Sequence, residues 1–183
     1  MALGAAAILV LSGCGSSTDG GSASPSPTPT HTAQAGEPTL PQVEGYEYKD
    51  VAGSDLASLD SSRAEMDAAN AQVPGAFLGL AGHSVEGPDG AQFLVVEMQL
   101  GPAVMADPDA LDAIVAGMTA VFVDEGMTVR SGTVGGVDVT QGSSEDMASC
   151  TWSQGDLLFL VVGQDESSVN DFAAKLIEAC EEL

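Results

Sequence analysis

The sequence predicts an α+β domain, a two-layer sandwich of a mostly antiparallel sheet with helices on one face. Three observations lead there. Apolar runs of strand length come in pairs, joined by turns at Gly87-Pro88-Asp89-Gly90, Gly135-Gly136 and Gln154-Gly155. Segments with apolar residues at three and four spacing precede, separate and follow these pairs. All of this pattern lies beyond about residue 44, in a stretch long enough for one hydrophobic core.

The elements follow in order. Ser54-Asp55 marks a helix start, and Leu56, Leu59, Arg63 and Met66 recur at helical spacing until about Asn70, before Val73-Pro74. Ala76–Val85 and Gln92–Leu100 read as paired strands. Asp107-Pro108-Asp109 opens the clearest helix. Asp107 suits the cap, Pro108 suits the first turn, and Asp109 complements the positive end of the helix dipole. Leu111, Ile114, Met118, Val121 and Phe122 share one face of that helix, and Gly126 ends it. Four strands come next, at Met127–Thr133, Val137–Gln141, Met147–Ser153 and Leu157–Gly163. The last is apolar on both faces, the mark of a central strand. A final helix is expected from about Ser167 to Cys180, opened by Asp165-Glu166, with Val169, Phe172, Ala173, Leu176 and Cys180 on one side.

The first 43 residues have a different character. Leu3–Leu11 is an apolar run too short to span a bilayer, and Ser12-Gly13-Cys14 follows it. The string Leu11-Ser12-Gly13-Cys14, placed after such a run, resembles the lipobox of bacterial lipoproteins. The resemblance implies cleavage before Cys14, diacylation of its thiol, and a domain held at the outer face of the cytoplasmic membrane. Two acyl chains anchor stably where one does not. The family's leader begins with Lys or Arg; Met1-Ala2-Leu3 has neither, and such residues are expected upstream. Residues 14–43 read as a disordered Ser/Thr/Pro/Gly tether, with a reach of roughly 30 Å or more. His31 stands alone in it. The Ala/Gly-rich, Lys-poor composition is similar to that of small secreted lipoproteins of high-GC Gram-positive bacteria, which implies a location more than an activity.

Charge narrows the partners. The chain carries 27 Asp+Glu against 4 Lys+Arg, a net charge of -23. Only Asp19 and Glu37 precede residue 44, while all four bases follow it, so the domain is strongly acidic. Nucleic acid is excluded as a partner, because phosphates need Lys and Arg. Anionic lipid surfaces repel such a domain, which is expected to stand off the membrane as a monomer; the alternative is that the charge serves solubility alone.

Three cysteines occur. With Cys14 assigned to lipid, Cys150 and Cys180 remain. Both fall on faces pointing into the expected sheet–helix interface, and an exported domain meets oxidising conditions. A Cys150–Cys180 disulfide is therefore expected.

Chemistry is sparse. The domain has one histidine, His83, and no G-x-S-x-G elbow. No calcium loop or Cys/His cluster with metal spacing occurs, so neither metal nor cofactor is expected. Trp152 is expected to pack beside Cys150. Tyr46 and Tyr48 share a face, and either anchor the chain to the sheet edge or touch a ligand. The methionines at 66, 98, 105, 118 and 127 suit a core, or a soft pocket for an apolar ligand. The expected function is a non-enzymatic binding, interaction or sensing domain, with an envelope protein or ligand as partner. The alternative is a carrier of a lipid or other apolar molecule, in a pocket lined by Met118, Phe122, Phe159 and Phe172. A hydrolase using paired carboxylates ranks third.

Overall fold

The computed structural model describes residues 40–181. The expected leader, Cys14 and nearly all of the tether lie outside them. The elements are β1 (Glu47–Asp50), α1 (Gly53–Gln72), β2 (Phe77–Glu86), β3 (Gln92–Leu100), α2 (Pro102–Met105), α3 (Pro108–Asp124), β4 (Thr128–Val134), β5 (Val137–Ser143), β6 (Ala148–Gln154), β7 (Leu157–Gly163) and α4 (Glu166–Glu181).

One seven-stranded sheet runs in the order β1-β2-β3-β7-β6-β5-β4, and every neighbouring pair is antiparallel. The fold is α+β, as the paired strands and tight turns imply. The doubly apolar β7 is the middle strand. Gly135 and Gly136 both take positive φ (58° and 84°), the conformation a two-residue hairpin turn needs. Asp107 caps α3 by accepting from the Asp109 N–H at 3.1 Å, and Asp165 accepts from the Ser168 N–H at 2.9 Å to open α4.

The placement of the helices differs from the expectation. One core joins α4, through Val169, Phe172, Ala173, Leu176 and Ile177, to the odd-numbered residues Phe93, Val95, Phe159 and Val161. A second core joins α1 and α3, through Leu59, Met66, Ile114 and Met118, to the even-numbered Leu94, Val96, Leu158 and Leu160. Alternate residues of a strand point to opposite faces, so the helices cover both sides and the domain has three layers. The physical reason is the composition of β3 and β7. Strands apolar on both faces need cover on both.

The edge strand β1 and the short helix α2 are the elements the sequence pattern hid, since each has only four residues. Tyr48 within β1 bonds back to the incoming chain, its hydroxyl accepting from the Val43 N–H at 3.1 Å and donating to the Pro41 carbonyl at 3.4 Å. The Tyr46 ring packs tilted against Phe172 at 4.8 Å between centroids, and its hydroxyl takes a hydrogen bond from Lys175. Both tyrosines therefore fasten the chain to the sheet edge.

Candidate functional site

The α4 face is closed. Phe159 and Phe172 are fully buried in it, and Trp152 stacks on Phe159 at 5.0 Å, beside Cys150 as expected. The opposite face is not closed, because α1 and α3 stand apart over it and leave a depression on each side of α3.

The first depression lies between α1 and α3. Its floor is Leu94 and Val96 of β3 with Leu160 and Val162 of β7. Leu59 of α1 walls one side; Met118, Val121 and Phe122 of α3 wall the other; Met127 and Met147 close an end. The enclosed space is about 40 Å³, room for a few water molecules. Asp55, Ser58, Ser62, Ser149 and Glu125 are the polar lining residues, and no Lys, Arg or His is among them. The Ser149 hydroxyl is buried without a hydrogen-bond partner.

Local structure explains why this cleft exists. The C-terminal half of α1 is tied down by Met66 and Ala69, and by Asn70, whose side chain bonds both backbone groups of Phe77. The N-terminal half contributes Asp55, Ser58 and Ser62 to the cleft, and Leu59 alone of its residues is a buried apolar anchor. Serines at 58 and 62 turn their hydroxyls back to the carbonyls of Ser54 and Ser58, each at 3.1 Å, and their short side chains leave the small space of the cleft unfilled.

The second depression lies on the other side of α3, over β4, β5 and β6. It is broader and more open, about 460 Å³; its polar lining is Ser131, Asp138, Thr140, Thr151 and Ser153, and Gly132, Val139, Trp152 and Val115 of α3 complete it.

The four residues expected to share one pocket are divided by the sheet. Met118 and Phe122 line the first depression, whereas Phe159 and Phe172 belong to the solid core on the other face. The expectation assumed helices on one side only, and the three-layer arrangement corrects it. The expected Cys150–Cys180 disulfide is corrected too, since both are free thiols. Cys150 lies in the middle of β6 opposite Val161, while α4 carries Cys180 past it toward Glu97 of β3. Burial pushes the Cys150 thiol up to about 12; burial and then the Glu97 carboxyl push Cys180 up to about 11. Neither is an activated nucleophile.

Glu97 is the residue the sequence reading passed over. It is 1% exposed, both its carboxyl oxygens lack hydrogen-bond partners, and burial pushes it up to about 7. The available signal was a lone acid inside the apolar run Phe93–Met98. His83 is half-buried, with its ring 6.4 Å from Tyr48. Among the described residues no group of three or more His, Cys, Asp or Glu is placed to hold a metal ion. No helix among them is long and apolar enough to cross a membrane. No protein family, curated protein or solved structure matches the chain.

Proposed function

We propose that the chain is a lipid-anchored protein of the outer face of the cytoplasmic membrane, with a domain that binds an apolar ligand without chemical turnover. The observation that carries this reading is the cleft between α1 and α3, where apolar side chains of β3 and β7 form the floor of a small space that the two helices do not fill. Apolar surface left in this form is the common basis of small-molecule sites.

The lining also selects. Asp55 and Glu125 stand among it with no cation to balance them. A ligand headgroup that is neutral or positively charged is compatible with those carboxylates, whereas a fatty-acid carboxylate or a phosphate is repelled. The closed volume is small, so a ligand larger than a few waters enters by outward movement of the N-terminal half of α1. That half has few apolar anchors, as an opening element requires. The lipobox at Cys14 and the tether to residue 43 support the placement, since together they hold the domain within reach of membrane amphiphiles and envelope proteins.

The test uses the chain from residue 15 onward, with tether and domain intact. Titration with the neutral dye N-phenyl-1-naphthylamine is expected to give a saturable rise in fluorescence. Dodecyltrimethylammonium displaces the dye and laurate does not. Ser62→Phe, which fills the cleft from α1, lowers dye affinity roughly tenfold or more. Absence of saturable binding by the unaltered chain contradicts the reading.

A further inference from the structure

The second depression has a chemistry of its own, and nothing in the apolar cleft accounts for it. Strand register places Ser131 opposite Thr140, and Thr140 opposite Thr151, so three hydroxyl residues cross β4, β5 and β6 in one row. Asp138 and Ser153 sit two residues along from Thr140 and Thr151, and therefore face the same side. All five line the same groove. Its volume of about 460 Å³ falls in the range of small-ligand sites.

Thr151 is the telling residue. It is 3% exposed, yet its hydroxyl has no hydrogen-bond partner. A buried hydroxyl without a partner destabilises a fold, and valine has the same shape without that penalty. Packing alone therefore does not explain threonine at this position. A ligand whose polar groups reach the floor of the groove does.

The composition of the lining defines that ligand. Hydroxyls donate and accept, and the Asp138 carboxylate accepts from two donors at once. No lysine, arginine or histidine lines the groove, so nothing there holds an anion. Val115 and the threonine methyls offer apolar contact for C–H surfaces. Densely spaced neutral groups that both donate and accept, on a ring with C–H faces, describe a carbohydrate. We propose that the groove between α3 and strands β4–β6 binds a short neutral segment of glycan. This site is separate from the apolar cleft, because α3 stands between them, and its failure leaves the cleft untouched.

The experiment is saturation-transfer NMR on the chain from residue 15, with chitotetraose, cellotetraose and maltotetraose as separate probes and spermidine as a cationic control. Transfer to at least one sugar is expected, with shifts of the Thr140 and Thr151 amides. Thr151→Val is expected to keep or raise the thermal midpoint while weakening that sugar roughly tenfold, the loss of one hydrogen bond. Thr140→Val, at a half-buried position, weakens it without loss of the fold. Three results each overturn the proposal: no transfer to any of the three sugars, unchanged binding by Thr151→Val, or binding of spermidine in place of sugar.

Discussion

The Asn70 side chain clamps both backbone groups of Phe77, accepting from its N–H and donating to its carbonyl, each at 2.9 Å. Asn70 lies in the last turns of α1 and Phe77 begins β2, so this pair fixes the end of α1 that lies away from the cleft. The other end stands beside the cleft, with Leu59 as its one buried apolar side chain. One helix therefore has a doubly anchored half and a half held by a single buried apolar side chain.

Removing the clamp is the first prediction. Asn70→Ala leaves the buried Phe77 N–H and carbonyl without these partners, which costs about 2–3 kcal/mol. The measurement is urea denaturation at neutral pH, with an unchanged m-value expected. A loss below about 0.5 kcal/mol means that α1 is held elsewhere.

Glu97 gives the domain a pH dependence whose sign follows from its burial. In the unfolded chain its carboxyl titrates near 4.5, and burial in the fold pushes it up to about 7. Between those values the folded state keeps a proton that the unfolded state has released. Stability therefore falls as pH rises through this window, and the loss is complete above about 7. The loss amounts to roughly 3 kcal/mol. Glu97→Gln removes the ionisation. It is expected to be more stable than the parent at pH 8 and to show a flatter profile between pH 5 and 8. Parallel profiles for the two proteins contradict the assignment.

The cysteines make a third prediction. The purified domain is expected to hold two free thiols, both counted by a thiol reagent after unfolding. In the folded state at pH 8, Cys150 stays unreactive because it is fully buried, and Cys180, half-buried, reacts slowly. Intact mass distinguishes this from a disulfide by two hydrogens, and the lighter mass contradicts it.

Gly101 is a backbone contact point. A Cβ there meets the Gly75 carbonyl oxygen at 1.8 Å, while the Gly101 N–H already bonds Ala76 at 2.7 Å. Gly101→Ala forces two backbone segments apart and is expected to lose about 3 kcal/mol or more. Gly117→Ala, in α3 with open space around it, serves as the control and is neutral or slightly stabilising. Equal stability of the two variants contradicts the contact.

Much of this fold was legible. Asp107-Pro108 marked the start of α3, Gly135-Gly136 marked a hairpin, and the doubly apolar run Leu157–Val162 marked the middle strand. That run also held the clue to the third layer, because a strand apolar on both sides implies helices on both sides. The candidate sites were less legible, since each depends on what a neighbour leaves undone. Ser58 and Ser62 read as ordinary helix surface, yet their small side chains keep the cleft open. Thr140 and Thr151 read as ordinary strand residues, and only register shows them in one row. Phe159 and Phe172 were both apolar, but period-two alternation along β7 put Phe159 on the face that α4, with Phe172, covers, the opposite face from Met118.

The claim that the α1–α3 cleft takes an apolar ligand has a built-in reporter. Met118, Met127 and Met147 line it, while Met66, Met98 and Met105 lie elsewhere in the domain. Methyl NMR of the chain from residue 15, labelled at methionine and titrated with N-phenyl-1-naphthylamine, reads all six at once. Saturable shifts are expected at Met118, Met127 and Met147, with Met98 and Met105 unmoved. Uniform small shifts, or shifts confined to the exposed Met105, contradict it.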